Sequence, residues 1–551
     1  MKKLLLLLSI SICFISCKEE KKETIATKVA QPFIWDAANV YFLLTDRFNN
    51  GNPENDINFN RTKETAVLRG FKGGDFAGIT EKINEGYFSD LGINAIWFSP
   101  IVEQIHDATN EGTGNTYGFH GYWTKDWTAL EPNFGTEEEL HTMVAAAHEK
   151  GIRLVVDVVA NHTGPATKMD ALWPKEWVRT EPNCTYDNYL NTTSCTLVTN
   201  LPDILTESES AVNLPDALLQ KWEKEGRLET ELKELNDFFT RTGYPRAPKY
   251  YIVKWLTDYI TEYGFDGFRV DTVKHADEDV WSILRTEADY AFNTWKKNNP
   301  TKVLDDNDFF MVGEVYNYGI SGGQEFDFGD KTVNYFDYGF DALINFELKY
   351  DAAEKDFEAI FKKYDSLRSQ KLKGETVLNY LTSHDDGGPF DKDRTKTYQA
   401  ANVLLLTPGM SQVYYGDETA RDLTIEGTEG DATLRSFMNW ETLAMDTNAK
   451  DLLLHYQKLG RFRAQHPAIG AGAHNMLSAI PYAFSRTLTT ENTTDKVIVA
   501  MELKEPSNTI PVKGTFKDGT ILLDTYSGNT TVVKNGMVTI EYAADIVLLE
   551  Q

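Results

Sequence analysis

Three apolar stretches of this chain each run into a carboxylic acid: Asp271 after Gly-Phe-Arg-Val, Glu314 after Phe-Phe-Met-Val-Gly, and Asp385 after Val-Leu-Asn-Tyr-Leu-Thr-Ser-His. One carboxyl that donates a proton and one that stays ionised together cleave an acetal such as a glycosidic bond. Asp271 stands two residues after Arg269, so in a strand the two side chains share a face and the guanidinium holds Asp271 ionised and oriented. That suits a nucleophile. Glu314 ends an entirely apolar run, where burial raises its affinity for a proton, as an acid/base requires. Asp385, with His384 beside it, is placed to take hydrogen bonds from sugar hydroxyls and to favour a positive transition state. The competing readings of the same acids are a metal-binding set and unrelated ion pairs at strand ends.

Acids at the ends of buried runs need a scaffold that brings those ends to one rim. Short apolar or β-branched runs occupy 40–44, 95–99, 153–157, 267–270, 309–313, 377–381 and 412–415, with 336–340 as a weaker addition that makes eight. Segments 137–150 and 249–263 have helical spacing, stop at Gly151 and Gly264, and lead into the next strand. Strand–helix alternation indicates a parallel sheet, and eight strands indicate a closed (β/α)8 TIM barrel whose ligands gather at the C-terminal rim. A doubly wound open sheet is the alternative. The barrel is expected over 31–160 and 246–464, interrupted after its third strand by an inserted domain over 161–245 that walls one side of the cleft. That insertion carries Cys184 and Cys195, two Leu-Pro-Asp runs, and an amphipathic helix near 217–240. Residues 465–551, with short strand-like runs split by Gly, Asn and Pro, read as a C-terminal antiparallel β-sandwich.

The first residues, MKKLLLLLSISICFISC, read as a processed leader over 1–16: a basic start and an apolar run too short to span a bilayer. Ser16-Cys17 resembles the lipobox of bacterial lipoproteins, which implies acylation of Cys17, and Lys18-Glu19-Glu20 resembles an outward-export signal of surface lipoproteins. Residues 17–30 then form a tether. The expected location is the bacterial envelope, as an outer-membrane lipoprotein facing outward or held in the periplasm, with the lipid as its only membrane contact. Cys184 and Cys195, eleven residues apart in an exported chain, suggest one disulfide. With 55 basic against 83 acidic residues and a formal charge of -28, the chain is unsuited to nucleic acid but compatible with a neutral sugar polymer.

The motifs DVVANH at 157–162, GFRVDTVKH at 267–275, GEV at 313–315 and LTSHD at 381–385 resemble the four ordered regions of the α-amylase superfamily of retaining glycoside hydrolases. The resemblance implies Asp271 as nucleophile, Glu314 as acid/base and Asp385 as transition-state stabiliser. It implies sugar binding by Arg269, His162 and His384, and by His120 and Tyr122 of the YGFHGYW stretch at 117–123. Lys274 and His275 look like the pair on the leaving-group side, with a solvated lysine as the competing reading of Lys274. Trp123 is divided between sugar contact and loop packing. Asp431, Arg435 and Trp440 look structural, and His141, His148, His455, His466 and His474 read as satisfied or solvated.

The same resemblance implies calcium at one or two sites. Asn161, the His275 carbonyl and Asp203 would tie the insertion to the barrel, with Asp216 as the alternative aspartate. Asn50, Asn52, Asn55, Asp56, Gly73 and Asp75 resemble an N-terminal calcium loop in which Asn50 replaces the usual aspartate, with a metal-free Asx-turn loop as the alternative. The activity implied is endo-hydrolysis of α-1,4-glucosidic bonds in starch and malto-oligosaccharides; the oligomeric state is open, with a monomer favoured. Cyclomaltodextrinase or neopullulanase-like hydrolysis and α-glucan transfer are the neighbouring readings. A non-catalytic starch-binding surface protein is the reading of another class, opposed by the presence of all three acids.

Overall fold

The computed structural model describes residues 32–110, 112–491 and 493–551. Cys17, the leader and the tether lie outside the described residues. Eight strands form a closed parallel barrel: β1 (Asn39–Leu43), β2 (Ala95–Phe98), β3 (Arg153–Val158), β4 (Gly267–Val270), β5 (Phe310–Gly313), β6 (Ala342–Asn345), β7 (Thr376–Asn379) and β8 (Met410–Tyr414). β1 pairs with both β2 and β8, which closes the ring, so the open-sheet alternative falls. Every residue of these strands is buried. Burial on both faces is why they read as unbroken apolar runs rather than as alternating ones.

The helices that cover the barrel are set by local chemistry. Thr136 and Glu139 form a reciprocal capping box at the start of the helix Glu137–Glu149. Pro248 opens the helix Pro248–Tyr263, and Gly264, at φ 76°, stops it in the left-handed conformation. A Cβ on Gly264 would sit 2.0 Å from the Trp295 ring, so close packing as well as backbone angle demands glycine there.

Two expectations are corrected. The sixth strand is Ala342–Asn345, whereas Tyr335–Tyr338 is a 3-10 turn. Asn334 accepts from Phe336 N and Gly339 takes φ 103°, so the aromatic run is spent on the turn that precedes the strand. The helix expected over 217–240 is two helices, Asp216–Glu225 and Leu228–Thr242, because Gly226 adopts φ 73° between them. Trp222, Leu235 and Phe239 bury their apolar faces.

The segment between β3 and β4 also carries a small antiparallel pair, Val178–Arg179 with Asp203–Ile204, and the Cys184–Cys195 disulfide. At the C-terminal end, a six-stranded antiparallel sheet runs in the order 473–479, 482–489, 494–503, 544–550, 521–524, 530–532. A two-stranded sheet, Asn508–Pro511 with Met537–Ile540, shares with it a core that includes Ile498, Ile510, Leu522, Val538 and Val547. The strands at 473–479, 508–511 and 537–540 were not evident from the sequence. Among the described residues, no helix is long and apolar enough to cross a membrane.

Replacing Gly264 by alanine forces a left-handed alanine against Trp295. Chemical denaturation is expected to show a loss of roughly 2–4 kcal/mol, with little change in the denaturant slope.

Candidate active site

Asp271 and Glu314 each lie one residue beyond their strand, and the barrel ladder carries on to them. Asp271 N donates to Val158 O at 3.0 Å, and Glu314 N donates to Val270 O at 2.9 Å. Beneath them Arg269 is 1% exposed and pairs in register with Asp157 of β3. Arg269 Nη1 donates to Asp271 Oδ1 at 2.8 Å and to the two Asp157 oxygens at 3.0 and 3.1 Å, while Nη2 lies 3.0 Å from Glu314 Oε1. One guanidinium therefore holds both acids at one spot. Thr272, at φ 50°, turns its N–H back onto Glu314 Oε2 at 3.0 Å. A left-handed β-branched residue is strained, and here the strained conformation aims a donor at Glu314.

The cavity above has a volume of about 670 Å³ and is lined by Asp271, Glu314, Asp385, His120, Tyr122, His162, Lys274, His275 and His384 among others. Tyr122 OH donates to Asp157 Oδ2 at 2.7 Å, and its ring stacks on His384 at 5.1 Å and 18°. His162 Nε2 is 3.1 Å from Tyr122 O, while its Nδ1 is buried without a protein partner. Lys274 Nζ donates to Tyr316 O at 3.1 Å, beside the rings of Tyr316 and Phe326, and burial lowers its pKa. His275 Nδ1 lies 3.1 Å from Thr192 O of the loop closed by the disulfide. Burial keeps His120 and His384 well below the usual imidazole range, and pushes His162 to about 4 and His275 to about 3. In all four, burial favours the neutral imidazole, which can still form hydrogen bonds.

Burial raises Asp271 to about 6, with Arg269 pulling the other way, so the guanidinium orients this carboxylate without depressing its pKa below the ordinary value. Burial raises Glu314 further, to about 8, and the negative charges of Asp271 and Asp385 add to the rise. Near neutrality, then, one acid is ionised and its neighbour is protonated.

Residues without an expected chemical role also belong here. Asp157 is held by Arg269, Tyr122 and Trp97, whose Nε1 donates to Oδ2 at 3.1 Å. A lone aspartate inside the apolar run Arg-Leu-Val-Val-Asp-Val was the available signal. Asp431 and Arg435, read from sequence as structural, line the cavity together with Arg69. Asp431 bridges Arg69 at 3.1 Å and Arg435 at 2.5 Å, and Arg435 Nε donates to His384 O at 2.9 Å. Trp123 lines the cavity too, with Tyr186, Leu197, Val198 and Leu201 of the inserted segment. Trp440 instead donates to Phe48 O at 2.7 Å. The remaining histidines have partners elsewhere: His106 with Glu103, His141 with Glu262, His148 with Asp266, His455 with Asn402 and Tyr526, His466 with Asp495 and Glu550, and His474 with Glu358.

The residues expected to hold cations lie in two oxygen-rich clusters. The side-chain amide of Asn161 approaches the His275 carbonyl at 2.9 Å and Asp203 Oδ1 at 3.3 Å, and Asp203 also pairs with Arg179 at 2.7 Å. Asp216 is exposed, in the first turn of its helix. In the N-terminal loop, Asn50 Oδ1 and Asn55 Oδ1 are buried without hydrogen-bond partners. A Cβ on Gly73 would come within 2.4 Å of Asp56 Oδ1, which already accepts from Asn50 Nδ2 at 2.9 Å. Asn52 caps the turn at Glu54, and Asp75 accepts from the backbone of Gly51, Asn52 and Gly78 and from Asn55. Among the described residues, no group of three or more His, Cys, Asp or Glu is arranged for a metal. Any ion here would rest chiefly on amide and carbonyl oxygens, a donor set that fits a hard cation.

A parallel barrel that brings two buried acids and a third carboxylate to one cavity at its C-terminal rim carries the groups a glycoside hydrolase needs. Comparison with known proteins gives the family. The model of the α-amylase catalytic domain matches residues 42–448, and the chain belongs to that family as a retaining glycosidase of α-1,4-glucosidic linkages. The periplasmic α-amylase of Escherichia coli K12 is 37% identical over 538 residues, spanning 87% of this chain and 74% of that enzyme. A cyclomaltodextrin glucanotransferase of Bacillus sp. strain 6.6.3 is 27% identical, over 93% of this chain and 66% of its own length. Among solved structures, the Anoxybacillus α-amylase has a TM-score of 0.65 at 23% identity, covering 94% of this chain and 99% of that one.

Since Asp271 must be ionised and Glu314 protonated, kcat/KM is expected to follow a bell with limbs near pH 6 and 8. Asp385→Asn removes a negative charge that raises Glu314, so the alkaline limb of its residual activity moves to lower pH. An unmoved limb would show that Asp385 does not face Glu314 electrostatically.

Proposed function

We propose that this chain is an endo-acting α-amylase that hydrolyses starch and malto-oligosaccharides through a covalent intermediate on Asp271. The observation that carries the reading is Arg269 holding Asp271 and Glu314 side by side below a cavity that Asp385 also lines. Glu314 gives its proton to the glycosidic oxygen as Asp271 attacks the anomeric carbon, so the C–O bond breaks, the leaving sugar departs as an alcohol and a glycosyl ester forms. Glu314, now ionised, takes a proton from water; the resulting attack at the same carbon frees Asp271 and restores the protonated Glu314. Two displacements return the original anomeric configuration. Asp385, His384, His162 and His120 supply hydrogen-bonding partners for the sugar at the point of cleavage. Tyr122 offers a flat ring, and Lys274 and His275 lie toward the leaving group.

Calcium at Asn161, Asp203 and the His275 carbonyl would fasten the inserted segment to the loop after β4, and at the Asn50–Asp56 loop it would engage the two orphaned amide oxygens. Its contribution there is structural, by charge neutralisation among oxygens. The reading extends to a lipid anchor on Cys17 in a bacterial envelope, supported by the leader pattern and by the periplasmic location in the Escherichia coli relative's name.

The test is hydrolysis of soluble starch and β-cyclodextrin, with products resolved by chain length. Starch cut faster into mixed malto-oligosaccharides supports the reading. Preference for the ring, or formation of rings and longer chains from starch, would replace it with a cyclodextrin-directed or transferring enzyme. Glu314→Gln is expected to lower turnover of starch at least about 10³-fold while the variant still binds it. EDTA is expected to lower the melting temperature and calcium to restore it, which a metal-free pair of loops would not do.

A further inference from the structure

Next to Asp385 stands a second carboxylate, Asp386, which is 8% exposed and is not part of the cavity lining. Its Oδ2 accepts from Tyr380 OH at 2.6 Å and pairs with the ammonium group of Lys349, and its Oδ1 accepts from Gly388 N at 3.1 Å. Lys349 is 6% exposed, on the helix Leu348–Glu354 that follows β6. Tyr380 is the first residue beyond β7. Its ring meets Phe346 edge-on at 5.4 Å, and Phe346 meets Tyr316, two residues past Glu314, at 5.1 Å. The contacts thus join the exits of β5, β6 and β7.

Asp385 has little to hold its own side chain. It is about a third exposed, it takes a hydrogen bond of 3.3 Å from Ser383 Oγ, and His384 Nδ1 is 3.8 Å away. Its carboxylate can be aimed only through its backbone. On the N-terminal side, Arg435 grips the His384 carbonyl at 2.9 Å. On the C-terminal side, the next side chain is Asp386, fixed by Lys349 and Tyr380. A buried ion pair is a poor source of stability, because desolvation offsets its Coulomb energy and an apolar replacement is often neutral. What such a pair supplies well is a single geometry. Lys349 also cancels the charge of Asp386, so that a further carboxylate beside Asp385 does not repel it.

We propose that Lys349, Asp386 and Tyr380 are positioning residues that fix the backbone at Asp385 and so aim its carboxylate into the cavity. This rests on the role proposed above for Asp385. None of the three touches the sugar; they act through Asp385.

The experiment is a mutant cycle on an aryl maltotrioside with a good leaving group, with kcat, KM and melting temperature read for each variant. Asp386→Asn, Lys349→Met and Tyr380→Phe are each expected to lower kcat about tenfold or more, with KM within about twofold and the melting temperature unchanged. In an Asp385→Asn background the same substitutions are expected to cost nothing further, because the group they position is gone. Full kcat in the folded single variants would overturn the proposal, as would losses that multiply with that of Asp385→Asn. Tyr380→Phe removes a single hydroxyl and carries the test if Asp386→Asn does not fold. Should Asp385→Asn alone keep wild-type turnover, the role of Asp385 itself is wrong, an outcome distinct from failure of the network alone.

Discussion

One buried cation surrounded by carboxylates is the constraint on which the rest of the structure depends. Arg269 is almost fully withdrawn from water and is met by Asp157, Asp271 and Glu314. One positive charge cannot neutralise three negative ones in a low-dielectric interior, so the cluster retains a proton. It resides on Glu314, the carboxyl raised furthest. The raised affinity of Glu314 for a proton thus comes from burial first and from the neighbouring negative charges after it. The arrangement exists only while β3, β4 and β5 keep their register, because Arg269 faces Asp157 across one strand pair and Val312 across the other. A one-residue slip would turn those side chains to the opposite face.

Much of this was legible in the sequence, for reasons that differ by residue. β4 and β5 were readable because buried parallel strands show as short apolar runs, and their acids were readable because a charge ending such a run has few places to go but the rim. β6 was misplaced because Phe336–Phe340 is more strand-like in composition than Ala342–Asn345, while the turn chemistry of Asn334 and Gly339 decides the matter. The two-helix form of 216–242 hung on the left-handed Gly226. The inward face of Asp431 and Arg435 was invisible, since a polar residue in a loop does not declare which way it points. Asp386 was hidden by its neighbour: two adjacent aspartates read alike, and only the fold separates the exposed one from the one paired with Lys349.

The rim is built by loops that lean on one another as well as on the barrel. The inserted segment lends the cavity Tyr186, Val198 and Leu201, while Asp431 and Arg435 come from beyond β8. Arg435 reaches back to His384, and the ring of His384 lies between Phe42 of β1 and Tyr122. The inner set of acids is fixed by strand register and the outer cavity lining by loop-to-loop bonds. That division allows loops to vary in such a barrel while the cleavage chemistry stays in place.

The bond between Cys184 and Cys195 has a consequence for when the molecule is finished. The short loop it closes supplies the Thr192 carbonyl that meets His275, and from the same loop Tyr186 reaches the cavity. A thiol-reducing cytoplasm leaves that loop unlinked, and an oxidising space completes it. Completion of the cleft is therefore tied to redox environment: the wall to which Tyr186 and the Thr192 carbonyl belong is covalently closed only under oxidising conditions.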